Sequence, residues 1–196
     1  HLASLEKIQA TAESFVEYAK TQSALPFVVW IVEPISNEKV LPEKLPLTDG
    51  PGTQLRVSAC RGEYEPASFA LYAPQEIKGV LAEPSAVKCG DFIIPASAID
   101  VRMVKCWWQA GVDITDLRHP TLTPELLLKD AGLVHVDNAK KRNQLRDPQA
   151  PCDAQQLVPL DIPARSMQQF WVTVHVPQDA QPGTYHGTIE LRAANV

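Results

Sequence analysis

The carboxylates Glu63, Glu65, Asp100, Asp113, Asp116, Glu125, Asp130 and Asp137 stand at expected strand ends or in loops. Two carboxylates flanking one bond can cleave a glycosidic linkage by acid–base chemistry. Their spacing here selects no pair, and solvated turn carboxylates account for them, so no catalytic residue is assigned. The sequence contains no GxSxG, HExxH or phosphate-loop pattern. His135 and Asp137 fall on one strand face, and His175 meets His186 if the last two strands pair side by side. Two imidazoles can begin a metal site, but a third ligand is needed. None is apparent and no loop has a calcium-binding spacing, so neither metal nor cofactor is expected.

The aromatic residues are more informative. Trp107 and Trp108 are adjacent at the end of a strand, followed by Gln109 and Gly111. Neighbours on a strand point to opposite faces. One indole can therefore enter a core while the other meets a second layer, a domain interface or a ligand. Trp171 falls on the outer face of its strand. Indoles stack on the apolar C–H faces of sugar rings and are common at interfaces. Trp107, Trp108, Gln109 and Trp171 are the candidate carbohydrate or domain-interface residues, with ordinary core and interface packing as the simpler account.

The elements that must hold these residues are strands. In QFWVTVHV, Phe170, Val172, Val174 and Val176 share one face. In YHGTIEL, Tyr185, Ile189 and Leu191 share another. Such alternation marks half-buried strands. The Pro/Gly-rich segment between them predicts a hairpin pairing Val176 with Tyr185, Val172 with Ile189 and Phe170 with Leu191. Further strands are expected at FVVWIV, QLRVSAC, PASFALYA, Val80 to Val87, Asp91 to Ile94, IDVRMVKCWW and LVHVD. TPELLLKD reads as a short helix capped by Thr123 or, equally, as an edge strand. The polar stretch from Asp137 to Gln156 reads as loop. Ahead of all this, Leu5, Ile8, Ala12, Phe15, Val16 and Ala19 recur at helical spacing, which predicts an amphipathic helix over Leu5 to Thr21. The expected architecture is all-β, a two-layer antiparallel sandwich of jelly-roll or immunoglobulin-like type. The expected division is an N-terminal helix and linker over 1–24 and a β-domain over 25–196.

Composition sets the outer bounds. The chain of 196 residues has a net charge of −5, which gives no electrostatic footing for nucleic acid or an anionic membrane. The longest apolar run, near Leu25 to Val32, is interrupted by Pro26 and is too short to span a bilayer. Proline, at 17 residues, fits many short strands divided by turns. Cys60, Cys89, Cys106 and Cys152 form no CxxC motif. Buried free thiols are the simplest expectation, and an exported protein could instead carry one bridge.

The runs RGEYEPASFALYA, IPASAIDVRMVKCWWQAG, TPELLLKDAGLVHVD with Asn143 and Arg146 following, and QQFWVTVHVPQDAQPGTYHGTIEL occur in this order. Together, over about Pro26 to Leu191, they resemble the N-terminal β-sandwich of large bacterial glycoside-hydrolase-like proteins. The likeness is to the domain preceding the barrel in glycoside hydrolase family 123, the β-N-acetylgalactosaminidases, and in related proteins. The resemblance implies a non-catalytic accessory domain of an exported enzyme, partnered by a downstream catalytic (β/α) barrel of the same parent chain. In that family an Asp–Glu pair on the barrel supports hydrolysis assisted by the substrate's acetamido group, so no catalytic residue carries over to this chain. Such relatives commonly add a strand before the barrel, so a domain cut before its last strand is expected. A carbohydrate-binding module using exposed aromatics and a structural or adhesive surface domain are the competing readings.

Overall fold

The computed structural model describes residues 26–44, 50–111, 113, 116 and 118–195. The amphipathic segment Leu5 to Thr21 lies outside the described residues. The strands are β1 (Val28–Val32), β2 (Gly50–Pro51), β3 (Tyr64–Ala73), β4 (Ile77–Pro84), β5 (Val87–Cys89), β6 (Phe92–Ile94) and β7 (Ile99–Gln109), followed by β8 (Thr121–Leu128), β9 (Val134–Asp137), β10 (Arg142–Leu145), β11 (Leu160–Ile162), β12 (Ser166–His175) and β13 (Ile189–Arg192). The helical pieces among the described residues are two three-residue 3-10 turns, at Ala96–Ala98 and Ala131–Leu133. The all-β expectation holds.

Among the described residues all pairing is antiparallel and no sheet closes on itself. Six strands form one sheet in the order β2-β1-β3-β12-β7-β8, and three form another in the order β11-β4-β13. Two short hairpins, β5-β6 and β9-β10, stand apart from both. One apolar cluster draws on both larger sheets. Phe69, Leu71, Val101, Met103, Phe170 and Val172 come from the six-stranded sheet, and Ile77, Val80, Leu160 and Ile162 from the three-stranded one. The Phe69 and Phe170 rings stack with centroids 5.1 Å apart, because β3 and β12 place these residues directly opposite each other. A second, smaller cluster of Trp30, Val32, Val40, Ala70 and Met167 lies on the other face of the six-stranded sheet.

The closing hairpin expected from sequence does not form. β12 pairs with β3 and β7, with Phe170 opposite Phe69 and Met103. β13 pairs instead with β4, with Leu191 opposite Ala82. The twelve residues from Pro177 to Thr188 carry the chain from one sheet to the other. Period-two alternation specifies which face a strand buries and not which strand lies beside it. The buried faces do follow the alternation, since Phe170 and Val172 are in the main cluster and Ile189 and Leu191 pack against it.

Three further segments settle or revise expectations. TPELLLKD is the edge strand β8, where Pro124 costs no ladder bond if its nitrogen faces outward. QLRVSAC is not a strand. Residues 54–60 run without ladder pairing, and Val57 is exposed while Leu55 packs on the core. The polar stretch after Asp137 contains β10, which turns back on β9 through Lys141 at φ 51°. None of the four cysteines is paired, and Cys60 and Cys152 are exposed rather than buried.

Candidate functional site

β7 is the longest strand and runs past the end of its pairing with β12. That pairing stops at Met103 opposite Phe170, whereas β8 accompanies β7 as far as Gln109 opposite Thr121. From Val104 onward, one edge of β7 is therefore separated from β12. The Gln168 carboxamide fills the start of the split, its Nε2 donating to the Val104 carbonyl at 2.9 Å and to the Gln169 carbonyl at 2.8 Å. Beyond it lies a recess of about 150 Å³ bordered by Val40, Cys106, Leu122, Asn138, Met167 and Gln168. Burial pushes the Cys106 thiol up to about 11, against a smaller opposing effect of Lys105. Burial likewise lowers the Lys105 amine, with Asp130 and then Cys106 acting in the opposite sense. The Lys105 Nζ donates to the Ala131 carbonyl at 2.6 Å.

The far end of the split is closed by the β9–β10 hairpin, where Asn143 takes the place of a strand. The Trp108 backbone N–H donates to Asn143 Oδ1 at 2.9 Å, and Asn143 Nδ2 donates back to the Trp108 carbonyl at 2.6 Å. A primary amide presents a donor and an acceptor side by side, so Asn143 replaces a strand residue at this edge. The two indoles are separately anchored. Trp107 Nε1 donates to Glu125 Oε2 at 3.0 Å, and Trp108 Nε1 donates to Asn138 Oδ1 at 3.1 Å. The Lys141 ammonium stands 5.4 Å from the Trp108 ring centroid, within cation–π range.

The structure thus brings Trp107, Trp108 and Gln109 together at one tip and leaves Trp171 apart. Trp171 pairs with Arg102, six residues back along β7, which is about 20 Å at strand rise. Sequence reasoning missed Asn138 and Lys141 as neighbours of Trp108 because β10 has no apolar face to give it period. The turn DNAKK after the expected strand LVHVD was the available signal.

The other candidates scatter. Glu63 accepts from the Cys60 N–H at 2.7 Å, and Asp137 accepts from the Lys140 N–H at 3.0 Å. Asp116 accepts from the His119 N–H at 3.3 Å. Asp130 caps the turn at Ala131–Leu133 and pairs with Arg146. That guanidinium, with the Gly132 N–H, holds the Asp130 carboxyl below its usual range despite the opposing effect of burial. Burial alone would raise Asp100, but hydrogen bonds from Lys129 and Arg102 outweigh it and keep its carboxyl low. His175 and His186 do not meet. His175 stacks on Tyr64 and His186 bridges to Lys88. Among the described residues no three His, Cys, Asp or Glu side chains gather as a metal ion would require.

Residues 39–193 match the family described as the glycoside hydrolase 123 N-terminal domain. The chain belongs to this family. A solved structure of a family 123 glycoside hydrolase from Clostridium perfringens, studied for the details of glycolipid glycan hydrolysis, matches this glycoside hydrolase 123 N-terminal domain in fold. Its TM-score is 0.50 and its sequence identity 14 %. The match covers 70 % of this chain and 19 % of the Clostridium protein. No curated protein matches the sequence. The chain spans about a fifth of the length of the Clostridium protein it matches.

Proposed function

We propose that this chain is a non-catalytic accessory β-sandwich of an exported bacterial glycoside hydrolase, buttressing a catalytic barrel carried by the same parent protein. The family match over residues 39–193 carries this reading. The sandwich is supported by the single apolar cluster that takes residues from both larger sheets. An amphipathic helix over Leu5 to Thr21 belongs to the same proposal and rests on sequence periodicity. A supporting role also fits the carboxylates, since Asp100 and Asp130, whose carboxyls are held below their usual range, are tied to Arg or Lys side chains.

Within this reading the tip of β7 is the contact with the barrel. Trp107, Trp108 and Gln109 project beyond the β12 pairing, and amphipathic aromatics suit an interface that is part apolar and part hydrogen-bonded. Trp108 is poorly suited to stack a sugar there, because Lys141 stands over its ring.

Two experiments test the proposal. Deleting residues 26–195 from the parent should lower its glycosidase activity or thermal stability, and an unchanged enzyme would refute the supporting role. Fractionation should place the parent outside the cytoplasm, and a cytoplasmic parent would refute export.

A further inference from the structure

The face of the six-stranded sheet turned away from the main cluster carries a second group of side chains, distinct from the β7 tip. Pairing sets Tyr64 opposite His175, Pro66 opposite Thr173 and Ser68 opposite Trp171. β7 extends two of these rows, with Asp100 beside Thr173 and Arg102 beside Trp171. Directly opposed residues share a face, and alternation keeps i, i+2 and i+4 on it. The Tyr64 and His175 rings stack at 4.3 Å with an interplanar angle of 11°, and Tyr64 is 66 % exposed. From His175 to the half-buried Trp171 is four residues, about 13 Å at strand rise.

Beside the aromatics, on β7 and the end of β8, lies a polar centre whose charges cancel. Asp100 accepts from Arg102 Nε at 2.6 Å and stands 2.7 Å from Lys129 Nζ through its other oxygen. Arg102 also lies 3.8 Å from Asp153. Two carboxylates thus face two cations. An anionic ligand finds no excess positive charge here, and a cationic one no excess negative charge. A wholly apolar partner would strip water from ions that are 37 % exposed, which is costly. A neutral ring with an apolar C–H face and a rim of hydroxyls satisfies both parts, stacking on the aromatics and hydrogen-bonding to the paired ions and the Thr173 hydroxyl.

We propose that this face binds a neutral oligosaccharide, held by the Tyr64–His175 stack at one end and Trp171 at the other. The proposal rests on the accessory-domain reading for its setting, and the site itself stands on the geometry above. The distance between its aromatics calls for a chain of sugar rings rather than one.

Native affinity electrophoresis of the full chain tests this, with hydroxyethylcellulose, glucomannan and galactomannan as neutral probes and polygalacturonate as the charged one. At least one neutral polymer should retard the chain. Tyr64→Ala, at an exposed position, should abolish at least nine-tenths of the retardation, and Arg102→Gln should weaken it severalfold. Ile35→Ser, in an exposed loop, should leave it unchanged, and near-ultraviolet circular dichroism checks that each variant is folded. Free passage through all three neutral polymers would overturn the proposal, as would retardation that survives Tyr64→Ala or occurs only in polygalacturonate. No outcome depends on hydrolysis, so failure here and failure of the accessory role are separately visible.

Discussion

The Asn143 carboxamide stands in for a neighbouring strand beside Trp108, accepting its N–H at 2.9 Å and donating to its carbonyl at 2.6 Å. Together with the bond from Trp108 Nε1 to Asn138 Oδ1, it holds the β9–β10 hairpin on the free edge of β7, with Lys141 over the Trp108 indole.

Replacing that carboxamide should loosen the tip. Asn143→Ala removes both bonds at an exposed position where water takes over part of the pairing, so about 1 kcal/mol of stability should be lost. Urea denaturation measures the loss. Hydrogen exchange at Trp108 should accelerate more than exchange at Phe170, which lies in the paired part of the sheet.

The Asp153 carboxylate accepts the N–H groups of Lys129, Asp130 and Ala154 at 2.8–2.9 Å, tying the long loop before β11 to the end of β8. Asp153→Ala leaves three donors without this acceptor. A loss of about 1–3 kcal/mol is expected, with proteolysis of the native chain shifting to the segment between Arg146 and Pro159.

Core energetics should centre on the ring pair shared by β3 and β12. Phe170 is fully buried against Phe69. Phe170→Ala should cost about 3–5 kcal/mol, read as a lowered denaturation midpoint.

Acid should weaken the fold through Asp100 and Asp130. Both carboxyls are held below their usual value of 3.8 in the folded chain. A depressed carboxyl contributes stability above its unfolded value and loses it as pH falls through the folded value. Stability should therefore be level down to about pH 4 and decline below it. The decline should be shallower in Asp100→Asn, measured by urea midpoints between pH 7 and pH 2.5.

Thiol chemistry should separate the cysteines. Cys106, pushed up to about 11 by burial, has almost no thiolate at neutral pH, whereas Cys60 and Cys152 are exposed. Iodoacetamide at pH 8 should label Cys60 and Cys152 at least tenfold faster than Cys106, read by peptide mass spectrometry.

Much of the fold was legible from residues. β1, β3, β7 and β12 announce themselves through alternation or dense β-branched runs, and the buried faces of β12 and β13 follow from Phe170, Val172, Ile189 and Leu191. Partner choice was not legible. β12 and β13 are adjacent in sequence and carry matching patterns, yet they lie in different sheets, because face periodicity contains no information on neighbours. Around the candidate site, Trp107, Trp108 and Gln109 were visible as an aromatic strand end. Asn143 stands among the residues that carry the family resemblance, but its bond to Trp108 was not legible, nor were Asn138 and Lys141, since the polar strand β10 leaves no apolar rhythm. The Tyr64–His175 stack joins residues 111 positions apart, beyond the reach of any local pattern.

The central claim is that this chain supports hydrolysis without performing it. The direct measurement is release of nitrophenol from a panel of aryl glycosides by the purified chain and by its full-length parent. The account predicts turnover by the parent and none above buffer by the isolated chain. Turnover by the isolated chain that disappears when one of its own carboxylates, such as Glu125, is replaced by its amide would contradict it.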